Sequence, residues 1–191
     1  MSPRIVKIVV TGPFASGKTT FIKSLSEIVP VVTDVGLKNT FEKTVKKFTT
    51  VALDYGRIKV GDDLVVHLFG TPGQFRFSFM WKILARGMHG YILLVDSSRP
   101  ENVDEAVYVY NFFRQIGDVP HIIAANKQDI EGCLTPEIIR MMMKIPPSTP
   151  VVPLIATDPE SVRKVLITLV KHMITWYSSR QEAKVRGKYV L

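Results

Sequence analysis

Eight residues near the N-terminus have the types and spacing to hold a phosphate chain. Gly12-Pro13-Phe14-Ala15-Ser16-Gly17-Lys18-Thr19 matches the pattern G-x-x-x-x-G-K-[ST]. Glycines in such a loop let successive backbone N–H groups converge on phosphate oxygens, and the start of the following helix adds favourable partial charge. The Lys18 ammonium would reach the β- and γ-phosphates. The Thr19 hydroxyl would ligate magnesium, with Thr20 next to it at the ligand. The bland alternative is an incidental Gly-rich turn, which has no reason to follow a strand and open a helix. Here a predicted strand precedes the motif and a predicted helix follows it.

A phosphate loop by itself selects a nucleoside triphosphate and no particular base. The second constellation, Asn126-Lys127-Gln128-Asp129, addresses the base. An aspartate carboxylate accepts two hydrogen bonds from the N1–H and 2-amino group of guanine, a donor pair adenine lacks. Asn126 would brace the loop, and the stem of Lys127 would lie along the base. Alone, these four residues are equally a polar turn ending a strand. At the carboxyl end of a parallel strand, downstream of a phosphate loop, they read as a guanine site.

The elements that must position both loops follow from periodicity. Residues 5–10, 63–69, 90–95, 121–125 and 151–155 read as strands, several of them nearly continuous apolar runs as in strands covered on both faces. Helical patterns lie between them at 18–27, 81–86, 103–115, 136–144 and 161–176. In the last, Val162, Val165, Leu166, Leu169, Val170 and Met173 form a stripe at helical spacing. A sixth strand, 50–59, is expected to run antiparallel to 63–69 through a tight Gly61-Asp62 turn. The expectation is an α/β fold: a doubly wound, mostly parallel six-stranded sheet with one antiparallel strand. No repeat or linker interrupts it, so residues 1–178 read as one domain and 179–191 as a basic tail.

The 191 residues suit one well-cored domain, and a composition 46% hydrophobic and 22% charged excludes disordered and low-complexity classes. One cysteine, Cys133, excludes an internal disulfide and a cysteine-based zinc site, and the four histidines are scattered. A reduced, cytoplasmic protein is expected. The net charge of +8 is compatible with an anionic ligand, an anionic membrane or nucleic acid. No RNA- or DNA-reading motif accompanies it, so nucleic acid is set aside. The longest apolar runs are strand-sized, which leaves surface charge or a partner as routes to a membrane.

With these motifs in hand, the chain resembles a Ras-superfamily small GTPase over nearly its whole length. The resemblance extends to Gly70-Thr71-Pro72-Gly73-Gln74-Phe75-Arg76-Phe77, similar to the family's second switch, D-x-x-G-Q. It implies that the Gly73 N–H donates to the γ-phosphate and that Gln74 orients the attacking water. Thr50-Val51-Ala52-Leu53-Asp54-Tyr55 resembles the end of the first switch, with Thr50 matching a magnesium-ligating threonine. Ile155-Ala156-Thr157 sits where the family's S-A-K loop directs an alanine N–H at the guanine carbonyl. The serine is absent, so Ala156 carries over, with Thr157 beside it. Thr71-Pro72-Gly73-Gln74 and Asn126-Lys127-Gln128-Asp129 resemble prokaryotic members, including the MglA type.

Three departures stand out. Gly70 replaces the aspartate that normally holds magnesium through water. Phe14 occupies a loop position that Ras proteins keep as glycine, where a ring would crowd a catalytic arginine and the glutamine. The stretch from Thr19 to Thr50 is longer than the usual first switch and carries Lys38, Lys43, Lys46 and Lys47. It reads either as a partner-binding loop or as a surface excursion. Asp54 is the candidate to replace the missing carboxylate. Counting back from a two-residue turn sets it opposite residue 68 or 69, sharing a face with Gly70 only in the first case.

The resemblance implies a GTP/GDP switch with slow Mg²⁺-dependent hydrolysis, Lys18 and Gln74 serving catalysis, and effector and regulatory proteins as partners. The rival expectation is a nucleotide-binding interaction module with negligible turnover. Arg76 and Arg57 are candidates for extra positive charge at the γ-phosphate. Trp81, Phe75, Phe77 and Phe79 form either an exposed patch or an anchor for the second switch. Met141-Met142-Met143 reads as an adaptable interface or as part of a half-buried helix.

Overall fold

The structure, a computed structural model, describes residues 3–27, 31–32 and 54–187. β1 (Arg4–Thr11) leads into α1 (Lys18–Leu25); a two-residue β2 (Val31–Val32) and β3 (Asp54–Val60) follow, then β4 (Leu64–Gly70). A single 3₁₀ turn, Phe75–Phe77, opens α2 (Ser78–Ala85). The remainder alternates: β5 (Gly90–Asp96), α3 (Asn102–Ile116), β6 (His121–Asn126), α4 (Pro136–Met142), β7 (Val151–Leu154) and α5 (Pro159–Gly187).

The strands form one sheet in the order β2-β3-β4-β1-β5-β6-β7. The six expected strands are there, and β2 adds a short seventh at the edge, pairing antiparallel with β3. β3 also runs antiparallel to β4, whereas β4, β1, β5, β6 and β7 pair in parallel. The apolar runs of β5 and β6 are buried along their entire length, as central parallel strands must be.

Alternation along the strands divides the interior into two cores. Ile8, Val10, Ile92, Leu94, Ile122 and Ala124 face α1 and α5, meeting Phe21, Val162, Val165 and Leu169. Val9, Leu93, Val95, Ile123 and Ala125 face the other helices, meeting Trp81, Val109, Phe113 and Ile139. Each fully buried large side chain contributes about 1.5–3 kcal/mol of transfer free energy, so both layers clamp the sheet whose carboxyl edge carries the loops.

Two expectations need correction. The β3–β4 connection is a three-residue turn, Gly61-Asp62-Asp63, because Val60 pairs with Leu64. The register therefore moves, and Asp54 stands opposite Gly70 rather than residue 68 or 69. The final helix does not end at Trp176; it continues to Gly187, so residues 179–187 of the expected tail extend the helix. The apolar stripe ends near Met173, but Arg180 lies over the Trp176 ring and pairs with Asp118, which ties the added turns to the domain. The methionine run divides: Met143 is buried, whereas Met141 is 70% and Met142 45% exposed on α4.

Candidate functional site

The loop from Gly12 to Gly17 joins β1 to α1 and curls around the Lys18 ammonium, which donates to Gly12 O (3.0 Å), Pro13 O (2.6 Å) and Ser16 Oγ (3.3 Å). Burial lowers the Lys18 pKa to about 8, and the Asp54 charge acts in the opposite direction. An ammonium so placed gains strongly from an anion brought to it. Gly17 is required by its surroundings: φ is +99°, and a Cβ would stand 2.2 Å from Asn126 Nδ2.

Thr19 heads α1, and its hydroxyl donates to Asp54 Oδ2 at 2.5 Å. Two hard oxygen donors, one charged, thus meet beside the phosphate loop. The segment that follows β4 is held against the loop by backbone and side chain together. The Thr71 N–H donates to Val10 O (2.9 Å), and its hydroxyl donates to Thr11 Oγ1 (2.9 Å). Gly73 lies so close that a Cβ there would be 2.7 Å from Phe14 N and 2.8 Å from Lys18 Nζ. Trp81, fully buried, donates its indole N–H to Pro72 O at 2.7 Å and anchors the segment from below.

Lys18, Thr19, Asp54 and residues 71–73 line a cleft of about 490 Å³ together with Phe14, Ala15, Thr20, Gln74, Arg76 and Phe77. A second cleft of about 280 Å³ is lined by Asn126, Lys127, Asp129, Ile130, Ala156 and Thr157. Ala15, Gly17 and Thr20 line both, so the two clefts adjoin as neighbouring parts of one groove.

Asn126 ties the two ends. Its Nδ2 donates to Ser16 O (2.8 Å) in the phosphate loop, and its Oδ1 accepts from the Ala156 N–H (3.0 Å). Ser24 on α1 donates to Ala156 O at 2.7 Å, closing the circuit. The Ala156 N–H therefore braces Asn126, where the resemblance implied a role at the guanine carbonyl. Lys127, with φ of +69°, extends to Asp96 at 2.5 Å. Burial raises the Asp96 pKa, but hydrogen bonds from Lys127 and Ser98 outweigh it and hold the carboxyl below its ordinary value.

Of the residues singled out from sequence, the structure gathers Gly12 through Thr20, Asp54, Gly73, Gln74, Asn126, Lys127, Asp129, Ala156 and Thr157 around this groove. Thr50, Lys38, Lys43, Lys46 and Lys47 lie outside the described residues. Arg76 lines the cleft with its guanidinium 4.7 Å from the Phe77 ring centre, whereas Arg57 is exposed on β3 and lines neither cleft. The aromatic cluster splits: Trp81 anchors, and Phe75 and Phe79 are exposed. Sequence reasoning missed Asp96 and Ser24. The one signal for Asp96 was a carboxylate ending an otherwise apolar strand.

Residues 32–176 match the family described as "Conserved hypothetical ATP binding protein". The match begins after the phosphate loop, so that loop stands on its motif and geometry. The chain is 29% identical over 133 residues to an uncharacterized protein of Methanocaldococcus jannaschii, covering 70% of this chain and 77% of that protein. It is 28% identical over 137 residues to ADP-ribosylation factor-related protein 1 of Bos taurus, covering 67% of this chain and 62% of that protein. ADP-ribosylation factor-like protein 3 of Saccharomyces cerevisiae is 29% identical over 125 residues, covering 64% and 59%. The matched region is thus about three-fifths of either ADP-ribosylation factor relative.

Proposed function

The chain belongs to the family described as conserved hypothetical ATP-binding proteins, and from that premise we propose that it is a guanine-nucleotide switch that hydrolyses GTP slowly to GDP. The observation carrying this reading is the Asn126 bridge. It couples a phosphate loop to a base cleft containing Asp129, within one groove. The family's description names ATP, but a carboxylate in the base cleft favours the N1–H and 2-amino donors of guanine. The ADP-ribosylation factor relatives support the same choice. The deciding experiment is competition: GTP and GDP should displace a labelled guanine nucleotide, and ATP should fail at a hundredfold excess. Equal displacement by ATP would overturn the base assignment.

In this reading the loop N–H groups and Lys18 hold the phosphates and offset charge that develops on the γ-phosphoryl group. Gln74, on the cleft wall, orients the attacking water, and Gly73 brings the second switch within reach of the γ-phosphate. The hydroxyl of Thr19 and the carboxylate of Asp54, hard oxygen donors 2.5 Å apart, fit Mg²⁺ and would hold it, with Thr50 as a further candidate ligand outside the described residues. When bound, Mg²⁺ would supply charge neutralisation for the phosphates. The output is partner binding: effectors and regulators would contact the exposed Phe75 and Phe79 of the second switch. The Thr71-Pro72-Gly73-Gln74 variant supports kinship with the prokaryotic MglA type, and a cytoplasmic location goes with it. Among the described residues no helix is long and apolar enough to cross a membrane.

One observation favours the second reading, nucleotide binding without turnover. Phe14 lines the phosphate cleft and is 63% exposed, so a group approaching from a partner would meet its ring. A single-turnover hydrolysis assay with magnesium separates the two.

A further inference from the structure

We infer that Asp96 is a positioning residue for the base cleft: by anchoring Lys127 it sets how long a nucleotide stays bound. The inference rests on the nucleotide reading above. Asp96 ends β5 directly beside Asn126, its partner across the β5–β6 pair, and it is fully buried. Each carboxylate oxygen is engaged. Oδ1 accepts from the Ser98 N–H (3.1 Å) and the Ser98 hydroxyl (2.6 Å), and Oδ2 accepts from Lys127 Nζ (2.5 Å). A buried carboxylate with this complete a shell is a fixed post.

Lys127 is the moving part that the post restrains. Its backbone adopts a left-handed conformation, and it lines the base cleft together with Asp129, Ile130 and Thr157. A free lysine stem samples many rotamers and would sweep the space the base must occupy. With the ammonium bound to Asp96, the four methylenes become a preset apolar wall, and the ordering cost falls on folding rather than on binding. The neighbouring bonds reinforce the same strand end. Ser97 N donates to Asn126 O (3.0 Å), and Leu134 N donates to Ser97 O (2.8 Å). Gln128 Nε2 donates to Leu134 O (2.9 Å), so the loop carrying Lys127 is strapped to the end of β5 at both sides.

Dissociation of GDP carrying a fluorescent methylanthraniloyl group tests this. Asp96→Asn keeps the shape but replaces a charge-assisted bond with a neutral one, and release should accelerate about tenfold with the association rate little changed. Ser98→Ala removes one support of the carboxylate from the protein's surface side and should accelerate release by about twofold. It also keeps the test open if Asp96→Asn folds poorly. In a Lys127→Ala background, Asp96→Asn should add nothing further to release. Inorganic triphosphate, which has no base, should bind wild type and Asp96→Asn equally.

Equal weakening of nucleotide and inorganic triphosphate would mean general damage and overturn the inference. So would unchanged release in both Asp96→Asn and Ser98→Ala, or a full Asp96→Asn effect without Lys127. Failure of the guanine assignment is a separate outcome, read from ATP competition in the wild type, because any base would rest on the same stem.

Discussion

Asp54 on β3 and Gly70 on β4 face each other directly across the antiparallel pair. A Cβ at position 70 would stand 2.8 Å from Asp54 Cβ and 3.2 Å from Asp54 Oδ2. The glycine at the position where the resembled D-x-x-G-Q pattern has aspartate and the aspartate on the neighbouring strand are therefore one feature. The carboxylate enters the same volume from the opposite strand, and position 70 has to be bare to admit it. From there it reaches the Thr19 hydroxyl at 2.5 Å.

This relationship sets the first expectation. Asp54→Asn should raise the magnesium concentration needed for tight GTP binding by about tenfold, while binding without magnesium stays nearly constant. Titrating magnesium against GTP affinity in both proteins measures it. An identical midpoint would remove Asp54 from the ion's shell. Gly70→Ala should lower stability by about 1–3 kcal/mol through overpacking, read from denaturant midpoints.

Base selectivity should reside in Asp129. Asp129→Asn removes a charged acceptor for two guanine donors and should weaken GTP by about 2–5 kcal/mol. It should also raise relative affinity for xanthosine triphosphate, whose 2-carbonyl accepts from the new amide. Competition between the two nucleotides in wild type and variant is the measurement, and an unchanged ratio would contradict the role.

How much of this was legible beforehand depended on range along the chain. The phosphate loop, the base loop and the central strands are local patterns, and each stands where its residues imply. Strand register is not local: one residue more in the Gly61–Asp63 turn moved Asp54 from an ambiguous position to one facing Gly70. Asp96 escaped notice because its partner, Lys127, is adjacent only through the β5–β6 pairing. The bond from the Ala156 N–H to Asn126 Oδ1 was not legible for the same reason, since its acceptor lies on another strand end. Helix α5 outran its apolar stripe because Arg180 finds Asp118, a contact no periodicity encodes.

Lys18 should make binding proton-linked. Burial lowers its pKa from 10.5 to about 8, so the fold disfavours the ammonium. Its contribution to stability is therefore greatest above about pH 10.5 and is lost as the pH falls through about 8. A bound phosphate chain reverses the preference and draws a proton in. At pH 8, calorimetry of GDP binding in two buffers of different ionisation enthalpy should show uptake of about half a proton, and affinity should decline as the pH rises further. Release of a proton on binding would have the wrong sign and refute the assignment.

Turnover should be slow, and Phe14 should be part of the cause. Its ring is 63% exposed at the rim of the cleft that Gln74 and Arg76 line, so it narrows the space where water, glutamine and any partner's cation converge. Because the ring is largely solvent-facing, Phe14→Gly should change stability by less than about 1 kcal/mol. It should accelerate single-turnover hydrolysis severalfold if Gln74 is otherwise competent. Gln74→Leu should slow hydrolysis by about tenfold or more, with GTP affinity nearly unchanged, because the amide acts on the water rather than on the ground-state nucleotide. The two effects should not add: in Gln74→Leu, removing the Phe14 ring should recover little. Should Gln74→Leu hydrolyse GTP at the wild-type rate, Gln74 is not the water-positioning group. Arg76, a cation lining the same cleft, then becomes the residue whose replacement by Ala must slow the reaction. Should neither variant alter the rate, turnover is incidental and the protein is a nucleotide-binding interaction module.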